Sequence, residues 1–149
     1  MFDELNKYKN TNHFFLRVDD KLPKVCNAPN DKSGVYLVYA LAKGKIDLIY
    51  IGRSGKRASD GIISMRKAGL GGLKDRIVNG HQFGKVPRRI SWLNQMKIER
   101  IEALDVYWYI TSDNQNDDCP DLIENILLEN IMTFLDSHPD GTKRRQKIL

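Results

Sequence analysis

The sequence predicts an α+β domain, a small and mainly antiparallel three-stranded sheet flanked by helices. Three observations predict it. Residues 34–53 hold two β-branched and aromatic runs joined by a short turn, which reads as a hairpin. Leu104–Thr111 (LDVYWYIT) alternates like a third strand. Stretches with helical spacing lie between and after these runs, so strands and helices can form two packed layers.

Taken in order, residues 1–33 read as an N-terminal arm that packs on the core. Phe2–Tyr8 suits a short helix, and Phe14, Phe15, Leu16 and Val18 offer apolar contact. Pro23 and Pro29, with Asn27, Asn30 and Asp31, break regular structure before the hairpin. The hairpin strands are Gly34–Leu41 and Lys45–Arg53, with Ala42, Lys43 and Gly44 between them. Period-two geometry places Tyr36, Val38 and Ala40 on one face of the first strand. It places Leu48, Tyr50 and Gly52 on one face of the second.

A glycine-rich connection follows, with a helical piece expected over Ile62–Lys67. Its Gly52–Lys56 start lacks the terminus and spacing of a phosphate-binding P-loop. Gly71 and Gly72 read as the turn opening the next helix, whose free N–H groups could meet a phosphate. That helix, Leu73–Asn79, buries Leu73 and Ile77, carries Arg76 and stops at Asn79-Gly80, with His81 just beyond. Arg88 and Arg89 precede a helix expected from about Ser91, with Trp92, Leu93, Met96 and Ile101 inward. In the third strand Val106, Trp108 and Ile110 share one face, and Asp105, Tyr107 and Tyr109 the other. Asn114–Cys119 is a polar loop, and Pro120 suits the first position of a helix running to about Leu135, with Asp117 and Asp118 favourable to its dipole. Residues 34–137 would then be the domain and 138–149 a basic C-terminal tail.

Composition narrows the function classes. The 149 residues are 41% hydrophobic and 29% charged, ordinary for a soluble domain, and no apolar run reaches the ~18 residues of a membrane span. Cys26 and Cys119 stand far apart without further Cys or His nearby, which argues against zinc and for free thiols in the cytoplasm. The net charge of +5 is unevenly spread. Residues 53–100 hold twelve Lys or Arg against three acids, while residues 101–142 hold ten acids and no Lys or Arg. A basic centre beside an acidic segment suits a polyanion-binding surface next to a metal-binding carboxylate.

A strand tyrosine ordinarily packs with its hydroxyl in water. What departs from that here is the pairing of Gly34-Val35-Tyr36 with Tyr50-Ile51-Gly52. The two tripeptides resemble the motifs that name the GIY-YIG nucleases, and the resemblance spans about Ser33 to Leu135. It extends to an arginine on a helix after the second tripeptide, here Arg76, and a glutamate on a helix beyond the third strand. Gly55–Gly72 would be an insertion of the kind some restriction-enzyme members carry. Many members place His or Tyr four residues after the arginine, where this chain has Gly80, with His81 next. Many also have an Asn soon after the last helix, where this chain has Pro139-Asp140-Gly141-Thr142.

The resemblance implies a Mg²⁺-dependent DNA endonuclease, with Mn²⁺ or another divalent cation as a substitute. Tyr36 would help take a proton from the attacking water, and Tyr50 would orient a phosphate oxygen or water. Arg76 would clamp the scissile phosphate through its planar fork. His81 is a further candidate. The metal-binding carboxylate has two candidates. Glu124 heads the apolar stripe of Leu127, Leu128, Ile131, Phe134 and Leu135, where a carboxylate is costly unless it binds something. Glu129 lies on a wetter face and is the alternative. Phosphate contacts are expected from Arg53, Lys56, Arg57 and Arg66, and from Lys67, Lys85, Arg88 and Arg89. Restriction-type members often cut as homodimers, so a homodimer is expected. The competing expectation is a nucleic-acid-binding module of the same fold that has lost catalysis.

Overall fold

The computed structural model describes residues 2–57, 63–64 and 72–137, with side chains for 2–55 and 72–132. Its centre is an antiparallel sheet of four strands in the order β1-β8-β2-β3, built from β1 (Thr11–Arg17), β2 (Gly34–Ala42), β3 (Lys45–Ser54) and β8 (Ala103–Ile110). The expected α+β architecture holds, but the expectation of three strands does not. The fourth strand comes from the leading arm. Thr11–Arg17 alternates Phe14 and Leu16 inward with His13 and Phe15 outward, a pattern masked by the contiguous run Phe14-Phe15-Leu16. It pairs with the edge of β8 that β2 leaves open, Phe14 facing Val106 and Leu16 facing Leu104.

The β2–β3 hairpin closes through Lys43 and Gly44, both with positive φ (53° and 71°), the geometry whose twist matches the strands it joins. Glycine enters this conformation without strain, and Lys43 does so at a cost. Val38 pairs with Tyr50 but Tyr39 pairs with Leu48, so Ile49 is the extra residue of a β-bulge. The bulge corrects the expected alternation. Tyr50 and Gly52 face the same side as Tyr36, whereas Leu48 packs into the opposite layer.

Two layers cover the sheet. On one face lie α1 (Leu22–Val25), α2 (Leu73–Asn79) and α3 (Arg88–Glu99), packing Leu22, Leu73, Ile77, Trp92 and Met96 on Val38, Val106 and Trp108. On the other lie a 3₁₀ turn (Asp3–Lys7) and α4 (Pro120–Ser137), packing Leu5, Ile123, Leu127 and Ile131 on Val35, Leu37 and Ile51. Tyr8 and Lys7 tie the chain start to this layer through the Asp118 carboxylate, at 2.6 and 2.7 Å. Short two-stranded pieces fill the connections: β4 (Lys56–Arg57) with β5 (Ile63–Ser64), and β6 (His81–Phe83) with β7 (Val86–Pro87). Ile63 and Ser64 are therefore extended rather than helical, while Met65–Lys67 lie outside the described residues.

The α2 N-terminus is closed to an anion. Leu73 N–H donates to the Lys32 carbonyl, Lys74 N–H to the Pro29 carbonyl and Asp75 N–H to Asn30 Oδ1. The loop before the hairpin takes the donors that the sequence reading offered to phosphate. No helix among the described residues is long and apolar enough to cross a membrane.

Candidate functional site

Cross-strand pairing sets Tyr36 directly opposite Gly52. The Tyr36 ring lies over that glycine so closely that a Cβ there would collide with its Cζ and hydroxyl. Tyr36 is wholly buried. Its ring stands 5.9 Å from that of Tyr50, the two tilted by 47°. The hairpin thus holds both tyrosines on one face, and the second glycine is the space one ring needs.

Arg88 lies against this pair. The sequence reading began α3 near Ser91, but α3 begins at Arg88, which then shares a helical stripe with Trp92 and Met96. Arg88 is 0% exposed. Its Nη2 donates to Tyr50 Oη (3.2 Å), its Nη1 to the Arg76 carbonyl (2.6 Å) and its Nε to Gln82 Oε1 (3.2 Å). Trp92 Nε1 donates to the same Gln82 oxygen at 2.8 Å. The guanidinium carbon sits 5.3 Å from the Tyr50 ring centre, 5.6 Å from Tyr36 and 5.7 Å from Trp92, within cation–π range. Its expected role as a surface phosphate contact is therefore corrected, because no part of it reaches the surface.

Burial pushes the Tyr36 phenol above its ordinary range, while the positive charges of Arg88 and Arg76 pull it back. Its hydroxyl is not fully satisfied among the described residues, and its interaction with the Tyr50 hydroxyl raises the phenol further. A buried hydroxyl left unsatisfied is unfavourable by ~1–3 kcal/mol.

The acidic side of the site comes from α4. Glu124 accepts a 2.8 Å bond from Arg53 Nη1, and its side chain is 12% exposed. Burial pushes its carboxyl above the usual range, opposed by Arg53 and then Arg76. Arg76 acts on Glu124 and on Tyr36 alike, so it joins the two halves electrostatically. Asp121, one turn earlier, is held below the usual range by the Cys119 thiol, then by backbone N–H bonds. Glu129 is exposed and stands apart from this face.

The remaining candidates scatter. His81 is exposed at the start of β6, while its neighbour Gln82 holds Arg88. Lys85 is exposed in the β6–β7 turn, and Arg89 is exposed with a 2.5 Å bond to Asn79 Oδ1. Arg66 and Lys67 lie outside the described residues, as do the side chains of Lys56 and Arg57.

Among the described residues no cluster of three or more His, Cys, Asp or Glu forms. The available donors are carboxylate oxygens, Glu124 with Asp121 on the same helix. That suits a hard cation such as Mg²⁺, which keeps several waters and binds through one or two carboxylates plus substrate phosphate. Sequence reasoning missed the burial of Arg88, although the spacing Arg88–Trp92–Met96 carried the signal. Compared with known protein families, with curated proteins and with solved structures, the chain matches none.

Proposed function

We propose that this chain is a GIY-YIG-like, divalent-metal-dependent endonuclease that hydrolyses DNA phosphodiester bonds, working in the cytoplasm as a stand-alone or restriction-type homodimer. One observation carries the reading: Tyr36 and Tyr50 pack together on one face of the hairpin, and Arg76 is near enough to influence both Tyr36 and the largely buried Glu124. A phosphate seated there would meet cations, phenol donors and a metal-binding oxygen together. The named partners of buried Arg88 are all neutral, which leaves positive potential beside the tyrosines for an anion to meet.

In this reading Arg76 binds the scissile phosphate and holds it in line for attack. Tyr50 donates a hydrogen bond to a phosphate oxygen. Tyr36, kept neutral by burial, would act through Tyr50, against which its ring packs. The proton of the attacking water would reach the leaving sugar oxygen by way of a phosphate oxygen as the new P–O bond forms and the old one breaks. Mg²⁺ or Mn²⁺, held by Glu124, would neutralise charge developing on the phosphate. Arg53 holds the Glu124 carboxylate in place until then. Lys85 and Arg89, both exposed, would follow the DNA backbone.

The test is plasmid DNA incubated with the parent protein and with Glu124→Ala, in Mg²⁺ and in EDTA. Cleavage that needs the metal and falls by about 10²-fold or more in the variant is expected. Cleavage that survives in Glu124→Ala but is lost in Glu129→Ala moves the metal role to Glu129. A second reading, a binding module without catalysis, draws on the carboxylate already engaged by Arg53 and the phenol held protonated. It predicts salt-dependent DNA retention with no cleavage under any metal.

A further inference from the structure

We propose that Arg88 is a positioning residue, a buried guanidinium that orients the Tyr50 hydroxyl as a hydrogen-bond donor and anchors the backbone of Arg76. A phenol O–H lies near the ring plane and so has two favourable orientations. The Arg88 Nη2 donor, 3.2 Å from Tyr50 Oη, occupies one of them. The Tyr50 proton must then take the other, directed away from Arg88. The second Arg88 nitrogen holds the Arg76 carbonyl at 2.6 Å, so one planar group sets a side chain and a backbone segment together.

The surroundings are built for this guanidinium. Gly80 leaves the space it fills, since a Cβ there would collide with Arg88 Nη1 and with the Arg76 carbonyl. Gln82 accepts from both Arg88 Nε and Trp92 Nε1, fixing the fork against the indole. Three aromatic rings face the cation. Its charge also draws the Tyr36 phenol downward against burial. A lysine could supply the charge but not the simultaneous, coplanar bonds to Tyr50, Arg76 and Gln82.

The role in hydrolysis rests on the proposed function, while the orientation of Tyr50 does not, so the experiment has separate readouts. The parent, Arg88→Met and Arg88→Lys are compared by single-turnover DNA cleavage, by DNA affinity against salt, and by NMR of protein labelled at the tyrosine Cζ carbons. In Arg88→Met, cleavage is expected to fall about 10²-fold with the salt slope of DNA affinity unchanged, because Arg88 touches no phosphate. The Tyr50 Cζ resonance moves while those of Tyr107 and Tyr109, across the sheet, stay. Arg88→Lys recovers part of the cleavage.

If Arg88→Met does not fold, Arg88→Lys still decides the orienting role, since it keeps the charge without the coplanar bonds and the Tyr50 resonance moves there too. A loss of affinity with the salt slope reduced by about one would make Arg88 a phosphate contact and overturn the proposal. An unmoved Tyr50 resonance would overturn it equally. A parent that cleaves nothing sinks the hydrolytic role, and the Tyr50 resonance still decides the orienting one.

Discussion

The two faces of the sheet are built on different terms. The face under α4 is an apolar interface in which Val35, Leu37 and Ile51 meet Ile123, Leu127 and Ile131. The face under α2 and α3 has a comparable apolar periphery but a polar centre, with two tyrosines, a buried arginine and an incompletely satisfied hydroxyl. Adjacent residues of β2, Val35 and Tyr36, belong to the two sides. The difference teaches where function is placed in a small fold. One face is closed mainly by apolar side chains, with the Glu124–Arg53 pair at its helix. The other keeps two tyrosines and an arginine at its centre.

The apolar face is not uniform either. Beyond the reach of α4, towards β1, His13 stacks on Tyr107 with ring centres 4.7 Å apart and bonds Asp105 at 2.8 Å. Phe15 stays 40% exposed at the same edge. These groups satisfy one another on the surface, unlike the Tyr36 hydroxyl, which is not fully satisfied within.

The comparison can be broken in order of effect. Leu127→Ala empties a fully buried position on the face under α4 and should destabilise the fold by about 2–5 kcal/mol, read as a lowered urea midpoint. At temperatures where the variant is folded, DNA cleavage should match the parent. A loss of cleavage out of proportion to folded protein would mean the faces are coupled.

Gly52→Ala acts on the other face. The added methyl meets the Tyr36 ring, and the shift should cost about 1–3 kcal/mol while also displacing the tyrosine pair. Stability and cleavage should therefore fall together. Unchanged stability would show that the Tyr36 ring can move aside freely.

Glu124→Gln sharpens the contrast with the smallest change in stability. Burial raises the folded-state pKa of Glu124 above its unfolded value, with Arg53 only partly offsetting this. The unfolded chain therefore loses this proton first as pH rises, and stability falls from the unfolded pKa through the raised folded one. The parent thus carries a penalty at neutral pH that the glutamine does not. The variant should melt no lower than the parent at pH 7 to 8, with its advantage gone below the ordinary carboxylate range, while cleavage is lost. A clearly lower melting temperature at pH 7 would make the Arg53 pair a net stabiliser.

Much of this was legible before the fold was known. Alternation in residues 34–42 placed Tyr36 apart from Val35, turn chemistry closed the hairpin, and Pro120 marked the start of α4. These are short-range signals, carried by neighbours within a few residues. The β1 strand was missed because a lone edge strand is specified by its partner, here the open edge of β8 more than eighty residues away.

The sequence by itself determined the α+β class, a tyrosine on each strand of a hairpin and a carboxylate flanking an apolar helix stripe. The bulge at Ile49 brought the two tyrosines to one face. Only the tertiary structure decided that Leu48 turns away at the bulge, that Arg76 lies near both Tyr36 and Glu124, and that Arg88 is buried rather than exposed. The physical reason is the same in each case. Periodicity reports which side of an element a residue faces, but the burial of a charge depends on bonds from distant segments. Arg88 is held by Tyr50, Arg76 and Gln82 in the space Gly80 leaves open, a combination that exists only once the chain has closed on itself.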